Sequence, residues 1–104
     1  MYRQGDVLIV AVDEVPDRTK AVARDRGRIV LAYGEVTGHT HAIADRGAEL
    51  VESQELQERF LRVLAEGGVT LTHEEHAPVV IPEGTYRVVR QREYTPETIR
   101  NVAD

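Results

Sequence analysis

The chain has no cysteine and no tryptophan, with one phenylalanine and one methionine in 104 residues. Without thiols there can be no disulfide framework and no thiolate metal centre, so any metal must be held by His, Asp, Glu or backbone oxygen. Nucleophiles are equally scarce. Ser53 is the sole serine, in a charged segment with no Gly-x-Ser-x-Gly turn around it, and Lys20 is the sole lysine. No glycine-rich loop of the kind that cradles phosphates is present. Apolar runs such as 7–12 (VLIVAV) stay far short of the ~20 residues that span a bilayer. The start of the chain, MYRQGD, has no apolar core after its one arginine. An address in the bacterial cytoplasm is therefore expected, with no membrane partner.

What remains is ordinary for a folded protein: 41% hydrophobic and 30% charged residues, which argues against disorder. The length suits one domain spanning 1–104 and is too short for two independent cores. The apolar residues are chiefly Val, Leu, Ile and Ala, a set that favours strands. Net charge is −5 and the basic residues are scattered among acids, so nucleic acid is not expected as a partner.

The apolar runs predict an all-β domain. Strands are expected at 7–12, 28–33, 39–44, 48–52, 69–73 and 85–92, with a short extended piece at 79–81 between Pro78 and Pro82. Residues 17–27, polar and Arg-rich, read as a loop. The stretch 53–64 is ambiguous. Leu56, Phe60, Val63 and Leu64 have helical spacing, which would place helix in part of 53–60. The favoured reading is a strand at 59–64 that turns through Gly67-Gly68 into a hairpin with 69–73. Thr95 as N-cap and Pro96 at the first helical position predict a short C-terminal helix at 96–103. Several short strands at this spacing suggest a small barrel or sandwich.

The four histidines form two close pairs. In a strand, residues two apart point to one face, so His39 and His41 should project together, with Ile43 beyond them. Imidazoles beside an isoleucine suggest an inward face, where an unpartnered ring is costly and a metal ion would satisfy it. His73-Glu74-Glu75-His76 closes the strand 69–73. Its histidines are three apart and Pro78 follows, so it is not the helical His-Glu-x-x-His zinc motif. Metals such as zinc, iron or manganese need three or four ligands. His39, His41, His73 and His76 are the candidates, with Glu74, Glu75, Asp45 and Glu49 as carboxylates within sequence reach.

Gly34-x4-His39-x-His41-x3-Asp45 resembles the first cupin motif, and Pro82-x-Gly84 followed by Tyr86-Arg87 resembles part of the second. The glycine spacing is one residue short, the acid is Asp, and Arg87 stands where the cupin motif has histidine. The resemblance implies a cupin-like barrel whose third metal ligand would be His73 or His76. The segments 34–41 (GEVTGHTH) and 71–78 (LTHEEHAP) also resemble those of small uncharacterised bacterial and phage proteins, which carry no activity to transfer.

Two functions follow as expectations. In one, a histidine-held divalent metal serves an enzyme of unknown substrate, and Glu74 or Glu75 moves the proton. In the other, the histidines of a non-catalytic module line a small-molecule pocket or the interface of a homodimer, with 17–27 and the terminal helix as contact elements.

Overall fold

The computed structural model describes residues 1–34 and 37–91. In these the chain forms ten strands: β1 (Tyr2–Gln4), β2 (Val7–Ala11), β3 (Thr19–Ala21), β4 (Ile29–Tyr33), β5 (Thr40–Ile43), β6 (Ala48–Ser53), β7 (Glu58–Val63), β8 (Val69–Thr72), β9 (Val79–Ile81) and β10 (Gly84–Arg90). They build two antiparallel sheets, one ordered β1-β2-β10-β7-β6-β3 and the other β4-β5-β8-β9. Neither closes on itself, so the fold is all-β but not a barrel. The expected helix at 96–103 lies outside the described residues. No helix occurs among the described residues, and none is available to cross a membrane.

The two sheets share one core. Strand alternation sets its lining: Val7 and Ile9 of β2, Leu61 and Val63 of β7 and Tyr86 of β10 face Ile29 and Leu31 of β4, Ile43 of β5, Leu71 of β8 and Ile81 of β9. Each such side chain contributes about 1.5–3 kcal/mol by leaving water. At the start of β10, the Tyr86 hydroxyl donates to the Pro82 carbonyl at 2.7 Å.

Three expectations change here. The hairpin between 59–64 and 69–73 does not form. β7 pairs with β6 and β10, while β8 pairs with β5 and β9. The chain instead crosses from one sheet to the other through 64–68, where the Leu64 and Ala65 N–H groups donate to the Gly47 carbonyl and Gly68 N–H donates to Ala65 O. Gly68 is required at this corner: its φ is +79°, and a Cβ there would stand 2.6 Å from Ile81 O. The helical alternative for 53–60 fails as well. Residues 54–57 are the tight turn between β6 and β7, in which Ser53 Oγ accepts the Leu56 N–H at 3.1 Å. Within the expected loop 17–27, β3 pairs with β6 through Lys20 opposite Glu52.

The cupin resemblance is overturned by where its motif residues fall. Asp45 lies at the far end of β5 from the histidines, with its Oδ1 3.4 Å from the Thr70 N–H. Gly84 and Tyr86 serve the Pro82 corner. Arg87 alternates to the face of its sheet opposite the core, where it pairs with Glu58. The second motif is thus a strand start and contributes nothing to a metal centre.

Candidate metal centre

His41 follows Thr40 on β5 and shares the inward face with Ile43, at the margin of the core; it is only 5% exposed. Opposite it, in the other sheet, stands Gln4 of β1, which is 2% exposed. The Gln4 amide nitrogen donates to the carbonyls of Leu71 at 2.9 Å and Ala77 at 3.0 Å. Its oxygen therefore points the other way, 2.8 Å from His41 Nδ1. That oxygen can only accept, so Nδ1 carries the hydrogen and Nε2 of the neutral ring holds a lone pair. Nε2 lies 3.4 Å from Asp6 Oδ1. The other oxygen of Asp6 accepts from Arg90 Nε at 3.0 Å.

Gly5, between Gln4 and Asp6, makes this approach feasible. Its φ is +59°, and a Cβ there would meet His76 Nε2 at 2.7 Å and His41 Cε1 at 3.3 Å.

The fold brings both histidine pairs into one cluster centred on His73. Ring centroids are 5.5 Å apart for His39 and His73, 4.3 Å for His41 and His73, and 4.6 Å for His73 and His76. His76 lies 5.9 Å from His41, the two rings nearly parallel. His39 is positioned by the turn before β5, where its carbonyl accepts the Gly34 N–H at 2.7 Å and its own N–H donates to Thr37 Oγ1 at 3.2 Å.

Within this cluster His39, His73 and Glu74 each offer a ligand atom, and the three atoms lie within 4.8 Å of one another. The two histidines are half-buried and the glutamate is exposed. Glu74 Oε1 accepts the Thr40 N–H at 3.0 Å. That bond and its own backbone N–H hold its carboxyl below the ordinary value. Such a group is anionic at neutral pH and suited to ligation. His73 Nδ1 accepts the Glu75 N–H at 3.0 Å, so the hydrogen of the neutral ring is on Nε2. An ion on His73 must either take Nδ1 from Glu75 or shift that hydrogen. Burial and the neighbouring His73 push His41 below its ordinary value, keeping it neutral. For Asp6, burial pushes upward, but the hydrogen bond and charge of Arg90 outweigh it and the net shift is downward.

The other acids named from the sequence are placed differently. Glu75 is exposed, its Oε1 3.9 Å from His39 Nδ1. Glu49 pairs with Arg62 across β6 and β7 at 2.8 Å, and Asp45 belongs to the turn near Thr70. Gln4 and Asp6 are the site residues that sequence reasoning missed. The one signal was a polar Gln-Gly-Asp set directly before the apolar run 7–12.

Two cavities are found, of which only the smaller is lined by residues of the cluster. One, of about 260 Å³, is lined by Arg28, Thr40, Thr72, His73 and Glu74. The larger, about 700 Å³, opens between the end of β4 and the adjacent ends of β7 and β10, lined by Leu31, Tyr33, Arg59, Arg87, Val88 and Arg90 among others. Arg59 reaches across it to the carbonyls of Val30 and Leu31, where β4 bulges against β5.

These features define an all-β protein with a cluster of histidines and a glutamate that could hold a metal ion. The chain belongs to a family described as a domain of unknown function, DUF8820, whose model matches residues 3–91. No curated protein and no solved structure matches it.

Proposed function

We propose that the protein binds a divalent metal ion (zinc, iron or manganese) through His39, His73 and Glu74. The observation that carries this reading is the convergence of their three ligand atoms within 4.8 Å, from segments more than thirty residues apart in sequence. Two imidazoles and a carboxylate are a ligand set that leaves a fourth position for water or substrate. His73 and Glu74 line the cleft of about 260 Å³, which would give that position access to solvent. His41 and His76 stand beside His73, their ring centroids 4.3 Å and 4.6 Å from its own. If the centre is catalytic, Glu75 is the carboxylate left to move a proton, because Glu74 is committed as a ligand and to Thr40.

Metal analysis of the full chain after dialysis against zinc, iron(II) or manganese tests this reading. Retention of an ion that is lost in His39→Ala and in Glu74→Ala supports it. Equal retention in both variants and the parent overturns it.

A second reading is favoured by the cavity of about 700 Å³. Its size is in the range of small-molecule sites, and three arginines line it although the chain carries a net charge of −5. As a non-catalytic binding module, the protein would hold a small organic anion there. Calorimetric titration with simple carboxylates and phosphate, on the parent and on Arg87→Gln, checks this. No heat of binding with either probe removes it.

A further inference from the structure

We propose that His41 Nε2 and Asp6 Oδ1 share a divalent cation, and that Gln4 is the positioning residue that prepares the imidazole for it. The pair shares no ligand atom with the His39, His73 and Glu74 set, although the His41 ring lies 4.3 Å from that of His73.

The first step is the amide of Gln4. Its nitrogen is fixed by two carbonyl acceptors, Leu71 O and Ala77 O, so the amide cannot be turned without losing both bonds. Its oxygen then requires the hydrogen of His41 on Nδ1. This is the arrangement found around metal-bound histidines, whose second ring N–H is held by an oxygen acceptor while the other nitrogen ligates.

The second step is what Nε2 faces. In the neutral ring with its hydrogen on Nδ1, a nitrogen lone pair and a carboxylate oxygen oppose each other at 3.4 Å. Neither can donate. Two acceptors held together at the margin of the core are unfavourable unless a positive centre lies between them. The spacing suits an ion: two ligands at about 2.0–2.1 Å from a tetrahedral zinc stand about 3.3–3.4 Å apart. Arg90 occupies Asp6 Oδ2, which fixes the carboxylate and limits it to ligation through Oδ1. Its charge opposes the ion, so this locus is the weaker of the two. The positive φ of Gly5 and its lack of a side chain hold Asp6 at this distance while leaving room for the His41 and His76 rings.

The occupant competing with a metal is a proton on Nε2, which would make the contact an ion pair. Zinc titration of the chelator-stripped full chain separates the two, followed by isothermal calorimetry and by long-range proton–nitrogen NMR of the imidazoles. The expected result is about two zinc ions per chain, with Asp6→Asn lowering the affinity of one by about tenfold or more. His39→Ala should remove the other and spare this one. In the spectrum of the parent at mildly alkaline pH, His41 Nδ1 should carry the hydrogen before and after zinc, and only the Nε2 signal should move. Unchanged zinc binding in Asp6→Asn, or no shift of Nε2 on adding zinc, overturns the proposal. If Asp6→Asn fails to fold, the spectrum of the parent decides alone. Loss of zinc in Asp6→Asn but not in His39→Ala would keep this proposal and remove the His39, His73 and Glu74 reading. The opposite pattern would do the reverse.

Discussion

Glu74 Oε1 accepts the backbone N–H of Thr40 at 3.0 Å, and this one bond fastens the segment after β8 to the start of the strand that carries His41. The carboxylate is thus held beside His39 by main-chain geometry, independent of any ion.

Glu74→Gln keeps an oxygen able to accept that N–H but removes the charge. Metal affinity should fall by about tenfold or more. Stability in chelator should be little changed, because glutamine still offers an oxygen to the Thr40 N–H. Paired zinc titrations and urea unfolding curves check both halves.

Acid should weaken the metal-free protein in two stages. His41 is shifted below its ordinary value of 6.5 in the folded state. The unfolded chain therefore takes up its proton first, and stability that is complete above 6.5 declines as pH falls toward the lowered folded value. Asp6 and Glu74 are shifted below 3.8 and 4.5 respectively. Their contribution is complete above those values and is lost as pH falls through the lower folded ones. Urea midpoints measured in chelator should drop below pH 6.5 and again in the carboxylate range, and His41→Gln should abolish the first drop alone. A flat profile between pH 7 and 5 in the parent would contradict the neutral, buried His41.

Gln4→Leu should cost about 1–3 kcal/mol, because it leaves the buried His41 Nδ1–H without an acceptor and two carbonyls without a donor. Urea unfolding in chelator measures the loss. Gln4→Glu should be no better tolerated. Its carboxylate could accept from His41 but could not donate to Leu71 and Ala77.

Much of the strand pattern was legible because burial imposes alternation. The runs 7–12, 28–33 and 85–92 could hardly be anything but strands. What misled was the corner at Gly67-Gly68. A two-glycine turn between alternating segments has the same appearance whether the chain reverses within one sheet or crosses to another, and the difference lies in the distant Gly47 and Ile81 that receive it. The short polar strands β1 and β3 gave no signal, since their pairing depends on neighbours and not on their own composition. For the site, the histidines and Glu74 were legible by residue type and spacing, whereas Gln4 and Asp6 were not. Their part depends on β1 and β2 being carried beside β5, a relation between residues 37 apart for Gln4 and His41.

In the six-stranded sheet β2 pairs along its length with β10, Val7 opposite Arg90, and the Gln91 N–H closes onto the Asp6 carbonyl at 2.8 Å. During synthesis, then, β2 can pair with β1 at once, but its other edge must wait for β10 before that ladder can form. Pairings this distant in sequence slow folding, because the loop must be closed before any contact repays it. A ribosome-bound chain short of residue 84 would expose the unpaired edge of β2 to other chains. It would also lack the Arg90 clamp on Asp6, so the pair formed by Asp6 and His41 would be among the last features of the protein to assemble.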